Sequence, residues 1–440
     1  MVSSDLLASL DFAYNQMVRD VPIPELTYDD KEHLALFPTW TGWRGAGGSA
    51  DASTAGKRGW HAPMAIGGHP AVSCVLKTSN LIASTASSLV NGFEIFSSCL
   101  FGSIQLDNES VERSAGDGAV IELKTFEIKS ILRTMANVLY QHSFRDGSGT
   151  IGQVSTSSSA SATSFTLVNP SDATLFEIGD RIVSCATTNG TDRALNSYGQ
   201  GAIVGALNRD TGVISFKNPL TGALVANNDA TYGIPALVVG DYLARQDTRN
   251  KVIKGFSFYC PATAPVNGDN CWGLDRSQDV TRLSGTRYDG TSDTPLEAVV
   301  RAGNKLAKNN GMANTGIVDY SKFSDMVLEL SSRGMVNFLE VKADSAPGFS
   351  FTGLKVYTGC GDVNVIPSHG CPTTQGELLD PTEWILASVN DLIHTGGGKD
   401  TASGFLRITD NDVIAGYWVS YSQLVPTNPQ NMCNILFPAS

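Results

Sequence analysis

The apolar positions of this chain change period along its length, and the changes divide it. Near the start, Leu6, Leu7, Leu10, Ala13, Tyr14 and Met17 recur at helical spacing. They predict a short amphipathic helix over residues 3–18, capped by Ser3 or Ser4 and stopped by Val21-Pro-Ile-Pro24. A longer stripe follows at Ile121, Ile128, Leu132, Met135 and Leu139, with steps of seven, four, three and four. That is one face of a helix starting near Asp117 and running to about His142, ended by the glycines of Arg145-Asp-Gly-Ser-Gly149. At about 1.5 Å per residue it spans about 35–40 Å. Between these helices, Phe93 to Leu106 reads as strand, and the segment around Trp60–Ile66 could pair with it as a long two-stranded arm.

Beyond the long helix the serine- and threonine-rich run 155–164 marks a boundary, and the pattern turns to β. Phe165–Val168, Arg181–Cys185, Ala202–Leu207 and Val213–Phe216 read as strands, the last two joined by Asn208-Arg-Asp-Thr-Gly212. Gly179-Asp180 and Gly240-Asp241 are matching turns, so residues 151–260 read as a small all-β module, of a kind that could close into a barrel. After Cys271 the pattern becomes α+β. Thr294-Pro-Leu-Glu297 is a capping box with Pro at the first helical position. Leu296, Val299, Val300, Gly303 and Leu306 form the inner face of its helix, closed by Asn310-Gly311. A second helix is predicted from about Tyr320 to Arg333, with Phe323, Met326, Val327 and Leu330 inside. Strands are expected at Phe351–Tyr357, Val363–Ile366, Leu406–Thr409 and Gly416–Tyr421, with a short helix opening at Asp380-Pro-Thr-Glu383.

Composition adds one oddity. Of six tryptophans, Trp40, Trp43 and Trp60 fall in or beside residues 42–68, which carry eight glycines. Glycine-rich chain is costly to order and builds no core of its own. These tryptophans either fold back on their own domain or anchor on a neighbouring subunit, where Trp is a favoured contact residue, and the second reading is preferred. The net charge is −12, so the chain does not grip nucleic acid by neutralising phosphates, although an acidic wall can still enclose it. No secretory signal and no run of 18 apolar residues is present, so no membrane partner is expected.

Candidate chemistry is sparse. There is no P-loop, since Gly396-Gly-Gly-Lys399 is followed by Asp400, and there is no G-x-S-x-G elbow or H-E-x-x-H. No catalytic, cofactor-binding or metal residue is assigned, and an enzyme is not expected. Eight cysteines form no C-x-x-C pair. Buried thiols are the default reading. Cys260/Cys271 and Cys360/Cys371, each with ten residues between, are disulfide candidates.

The order of elements then carries a resemblance: short helix, glycine-rich arm, two-stranded loop, one long helix, β module, helices on strands, final sheet. It resembles the major capsid protein of tailed bacteriophages, the Hong Kong 97 fold. Locally, the run from Ser103-Ile-Gln-Leu-Asp-Asn-Glu-Ser to Asp117 resembles the return strand of the extended loop entering the spine helix. Leu139-Tyr-Gln-His-Ser-Phe-Arg-Asp-Gly-Ser-Gly-Thr-Ile-Gly152 resembles the close of that helix. Lys254-Gly-Phe-Ser-Phe-Tyr, Leu274-Asp-Arg-Ser277 and the helix after Thr294 resemble the return into the peripheral domain.

The resemblance implies an α+β capsid fold with an N-arm (1–56), an extended loop (57–108), a spine helix and start of the peripheral domain (109–150), a β insertion (151–260), a peripheral domain (261–345) and an axial domain with the C-terminal sheet (346–440). It implies hexamers and pentamers of one chain in an icosahedral shell around phage double-stranded DNA, without sequence-specific contact. A portal protein and a separate scaffolding protein are expected partners, the latter because the short stretch before the loop leaves no room for a cleaved scaffold segment; a decoration protein is an optional third. Assembly is expected in the host cytoplasm and residence in the virion. Cys74 and Cys99, on the loop, join the disulfide candidates. Alternatives are an encapsulin-like cellular shell or, in another class, a secreted carbohydrate-active enzyme or adhesin.

Overall fold

A computed structural model describes residues 36–41, 60–65, 90–109, 123–155, 162–188, 190–332, 339–342, 350–389, 392–395, 405–407 and 412–438. The expected helix over 3–18 lies outside the described residues. In chain order the elements begin with β1 (Thr39–Thr41), β2 (Trp60–Ala65), β3 (Val90–Ile95), β4 (Ser98–Asp107) and helix α1 (Leu123–Ser143). Next are β5 (Thr150–Gln153), β6 (Phe165–Thr166), β7 (Arg181–Cys185), β8 (Ala202–Asn208), β9 (Val213–Lys217), β10 (Leu224–Val225) and β11 (Tyr242–Arg245). After β12 (Thr286–Asp289) come α2 (Pro295–Lys308), β13 (Thr315–Val318), α3 (Tyr320–Ser332), β14 (Leu339–Lys342), β15 (Ser350–Thr358), β16 (Gly361–Pro367), β17 (Gln375–Leu379) and β18 (Trp384–Ser388). The chain ends with β19 (His394–Thr395), β20 (Phe405–Arg407), β21 (Val413–Pro426) and β22 (Met432–Leu436).

These elements form two compact units. One comprises Ser98–Gly255 with Asn390–Ser422, the other Ala35–Ser97, Phe256–Val389 and Gln423–Ser440. In the first, β4 pairs antiparallel with β21 over its whole length, from Ser98↔Ser422 to Asp107↔Val413. The alternation in β4 buries Gly102, Ile104 and Leu106 and leaves Cys99, Phe101, Ser103 and Gln105 exposed. The buried row packs on Ile128, Ile131, Leu132 and Met135 of α1, together with Trp418. Gly102 permits the close approach, because a Cβ there would lie 2.8 Å from both Ile131 Cδ1 and Met135 Sδ.

The sequence reading expected Phe93–Leu106 as one strand of the arm. The structure divides it: β3 pairs with β2, while β4 pairs with β21. The two halves have different partners because β4 needs a helix to cover its apolar row.

Seven strands of the same unit pair in the order β10-β9-β8-β7-β11-β5, with β6 on β9. A Val154↔Leu167 bridge joins the end of β5 to the residue after β6, so the sheet curls back on itself. Its interior holds Ile151, Phe165, Phe176, Val204, Phe216 and Leu243. The β8–β9 turn is fixed by Asn208, whose Oδ1 accepts from the backbone N–H of Asp210 (3.0 Å) and Thr211 (3.2 Å).

The second unit is built on a seven-stranded sheet in the order β12-β22-β17-β13-β16-β15-β14. Only β12/β22 and β13/β16 run parallel; the other pairs are antiparallel. Helices α2 and α3 supply Val299, Ala302, Leu306 and Met326 to a core with Val363, Val365, Leu378 and Ile435. The start of α2 follows its capping box, with Thr294 Oγ1 accepting from Glu297 N at 3.4 Å. It ends at Asn310, in the left-handed region at φ 59°, with Gly311 N donating to Leu306 O at 3.0 Å. Among the described residues, no helix is long and apolar enough to cross a membrane.

Candidate assembly surfaces

Phe93 and Ile95 of β3 are fully buried. Around them lies a network of rings from distant parts of the chain. Phe93 meets Tyr259 edge-on at 6.4 Å, and Trp384 meets both Phe256 (4.8 Å) and Tyr259 (5.6 Å). Phe37, just before β1, lies 5.7 Å from Phe256, while Trp272 takes Phe96 and Phe258, each at 6.0 Å. Edge and tilted contacts of this kind add to the burial of the rings themselves. Arg276 closes one side: it forms two bonds to Asp269 (2.6 and 3.1 Å), donates to the carbonyls of Phe258 and Tyr259, and lies 5.5 Å from the Phe258 ring.

Hydrogen bonds lock the network. Trp272 Nε1 donates to the Tyr259 hydroxyl at 3.2 Å, and that hydroxyl donates to Leu424 O at 2.9 Å. Burial pushes the Tyr259 phenol far up, which keeps its proton in place for this chain of donors. Glu94 N donates to Trp272 O at 3.1 Å, so β3 is also tied through its backbone. The β2–β3 pair runs from Trp60↔Ile95 to Ala65↔Val90. An isolated pair of this length is marginal in water, and the aromatic network supplies its root.

Trp40 sits on β1 opposite Ala387 of β18 and is 41% exposed. Trp60 begins β2, in a different sheet, so the two are not brought together on one strand pair. Trp43 lies outside the described residues.

In the other unit, the open face of the β4/β21 ladder presents Phe101, 64% exposed, and Tyr417, 39% exposed. Phe101 meets Tyr421 edge-on at 6.1 Å, and Cys99 is opposite Tyr421 in register. Single-sided antiparallel sheets ordinarily carry polar residues on the open face. The aromatic row there departs from that pattern, and exposed apolar patches are commonly contact surfaces.

Of the other cysteine candidates, Cys260, Cys271 and Cys371 are buried and Cys360 is half-buried. Cys260 donates its thiol hydrogen to Thr286 O at 3.3 Å, and burial pushes its pKa up to about 12. The Cys360 thiol donates to Gly303 O at 3.1 Å, and Cys371 to Gln375 O at 3.4 Å. Cys271 is buried, and its backbone bridges to Leu274. With Cys260 and Cys360 as thiols, the equal spacings 260/271 and 360/371 do not become bonds within the chain. Cys99 is exposed; partial desolvation raises its pKa and keeps it a thiol. Cys74 lies outside the described residues. No group of three or more His, Cys, Asp and Glu among the described residues is placed to hold a metal ion.

Two buried titratable groups escape a reading of sequence alone. His142, at the end of α1, has neither ring nitrogen hydrogen-bonded. Burial, then Arg145 and Arg245, push its pKa down to about 3, so it is neutral. Glu377 of β17 faces Asn434 of β22 across the ladder and accepts from its Nδ2 at 3.1 Å. Burial holds this carboxyl well above the usual range.

No protein-family model matches the sequence, and no curated protein matches it. Solved structures do match. A chain of the cyanophage A-1(L) capsid asymmetric unit is 11% identical, with 99% of each chain covered and a TM-score of 0.51. The holo-SrpI encapsulin complex from Synechococcus elongatus PCC 7942 matches at 9% identity over 98% of this chain and 94% of that one, TM-score 0.46. The capsid of a native GTA particle matches at 10% identity over 100% of both, TM-score 0.43. The first of these is a likeness of fold from end to end: a mixed α+β chain of capsid type.

Proposed function

We propose that the chain is a major capsid protein of Hong Kong 97 type from a tailed bacteriophage. It acts through assembly, forming the hexamers and pentamers of an icosahedral shell around double-stranded DNA. The observation that supports this most is the shared fold with the cyanophage capsid chain over 99% of both. In this reading residues 1–56 are the N-arm, 57–108 the extended loop, and 109–150 hold the spine helix. The β module of 151–260 is an insertion, and 261–345 and 346–440 are the peripheral and axial domains.

The mechanism rests on rooted but uncovered surfaces. The β2–β3 pair is held at its base by Phe93, Ile95 and the Tyr259–Trp272 bond. Trp40 and the Phe101–Tyr417 face gain their cover from a neighbouring subunit. At about 25 cal/mol per Å², an arm burying on the order of 1,000 Å² contributes a gross 25 kcal/mol or so. Much of that is spent on ordering and association. Repetition over many subunits makes modest net interfaces sufficient. The charge of −12 suits a wall that confines DNA without gripping it. A separate scaffolding protein, a portal and an optional decoration protein complete the particle, which forms in the host cytoplasm.

Light scattering on the purified chain, co-expressed with scaffolding protein, tests the reading. Capsomers or shells, at many multiples of 46.6 kDa, are expected. A monomer or dimer under every condition overturns it, and particles filled with a protein cargo would make the chain a cellular shell instead.

A further inference from the structure

We propose that the β module carries a docking platform for a neutral hexopyranose, built on Tyr198 and Tyr232. This goes beyond shell assembly and does not depend on it.

The two tyrosines come from separate loops, one between β7 and β8 and one between β10 and β11. Their rings stack with centroids 5.6 Å apart and an interplanar angle of 25°, and their hydroxyls lie 3.5 Å apart. Tyr198 is 60% exposed, so the pair adds little to any core. Yet both loops are built to hold it. Asn196 Oδ1 accepts from Tyr198 N and Gln200 N, each at 3.1 Å. Asp229 Oδ1 accepts from Thr231 N at 2.6 Å and Tyr232 N at 3.0 Å. Ser197 ties one loop to the other, donating to Ala230 O through its backbone N–H (2.8 Å) and its hydroxyl (2.9 Å). Each tyrosine therefore has its backbone N–H capped by a side chain two or three positions earlier. A solvent-facing aromatic pair fixed this firmly is preorganised for a ligand.

The chemistry of the surroundings selects the ligand. A flat aromatic face stacks on a sugar ring or a nucleobase. The ionised group acting on Tyr232 is Asp229, an anion, while the Arg181 guanidinium is engaged by Gln200 Oε1. A phosphate-bearing ligand would meet repulsion from Asp229. A proline-rich peptide needs a slot between aromatic ridges, and these rings are in contact with no slot between them. A neutral pyranose satisfies all of this. Its C–H face lies on the open face of the Tyr198 ring, and its hydroxyls meet the phenol hydroxyls, the Asn218 amide beside Tyr232, and the Asp229 carboxylate. The hydrogen bond shared with Tyr198 raises the Tyr232 pKa, so its phenol keeps its proton at neutral pH.

Saturation-transfer NMR on the purified full chain, in whatever assembled state it takes, tests the platform. The probes are maltohexaose, cellohexaose, laminarihexaose and mannohexaose, beside a deca-thymidylate and a deca-proline peptide. Transfer to pyranose ring protons of at least one hexaose is expected. It should fall at least tenfold in Tyr198→Ala and in Tyr232→Ala, and be largely kept in Tyr198→Phe. Circular dichroism should match wild type in all three. The proposal is overturned by no transfer to any of the four sugars. Transfer unchanged in both alanine variants, or preferential transfer to the thymidylate or the polyproline, overturns it equally.

Discussion

Trp272 donates its indole N–H to the Tyr259 hydroxyl at 3.2 Å, and through that hydroxyl the bond is relayed to Leu424 O. One phenol oxygen thus satisfies a donor and an acceptor inside the ring network that holds β3. Tyr259→Phe keeps the ring packing but removes the hydroxyl that both groups share, at a cost of about 1–3 kcal/mol. Denaturant unfolding should show a lower midpoint with unchanged slope. Hydrogen exchange should show faster exchange at Glu94, whose N–H depends on Trp272 O.

The approach of β4 to α1 makes a sharper contrast between neighbours. Gly102→Val drives a branched side chain into Ile131 and Met135 and should destabilise by about 1–3 kcal/mol. Ser103→Val, one residue on and on the open face, should leave unfolding within about 0.5 kcal/mol of wild type. Equal effects of the two substitutions in chemical denaturation would contradict the alternation of this strand.

Assembly and folding should separate at the exposed aromatics. Phe101→Ser and Trp40→Ala remove apolar surface that the folded chain leaves open, at 64% and 41% exposure. Phe101→Ser should keep the wild-type unfolding free energy within about 0.5 kcal/mol, whereas Trp40→Ala, at a ring more than half buried, should lower it somewhat. In scaffold-assisted assembly followed by light scattering, each should need several-fold more protein to form particles.

Two buried groups give opposite pH dependence. The folded chain holds His142 neutral down to about pH 3, whereas the unfolded chain protonates it below about 6.5. Its contribution is therefore complete above pH 6.5 and is lost as pH falls towards 3. His142→Phe should flatten the acid limb of stability between pH 6 and 4. Glu377 is the reverse: the folded state keeps a proton that the unfolded state releases above about 4.5. That contribution is present below pH 4.5 and declines as pH rises. Glu377→Gln should therefore unfold at higher temperature than wild type at pH 8 and match it near pH 4.5. Thermal melts across this range check both signs.

Much of this architecture could be read from local pattern. The stripe Ile128, Leu132, Met135 and Leu139 gave α1, and Thr294-Pro-Leu-Glu297 gave the start of α2, because both signals are complete within a few residues. The Asn208–Gly212 turn did the same for β8–β9. Strands β12, β13, β17, β18 and β22 had no such signature. They are buried on both faces or short, and their identity comes from partners far away in sequence, as Glu377 and Asn434 illustrate. The division between β3 and β4 after Ile95 was hidden for the same reason, since the run of apolar residues continues across it. Of the contact candidates, Trp40 is exposed on its strand, whereas the Phe101–Tyr417 face becomes visible only once β4 and β21 are paired. The cysteines of both equally spaced pairs are free thiols in the structure, and Cys260 and Cys360 each donate to a carbonyl of a different element.

The central claim is that this chain closes shells by covering its own open surfaces with copies of itself. Electron microscopy of the chain expressed with scaffolding protein tests it most directly. The account predicts closed particles with six-fold and five-fold clusters of subunits, in which the Trp60–Ala65 and Val90–Ile95 strands lie against a neighbouring subunit. A homogeneous small oligomer, or particles whose β2–β3 strands touch only their own chain, would contradict it.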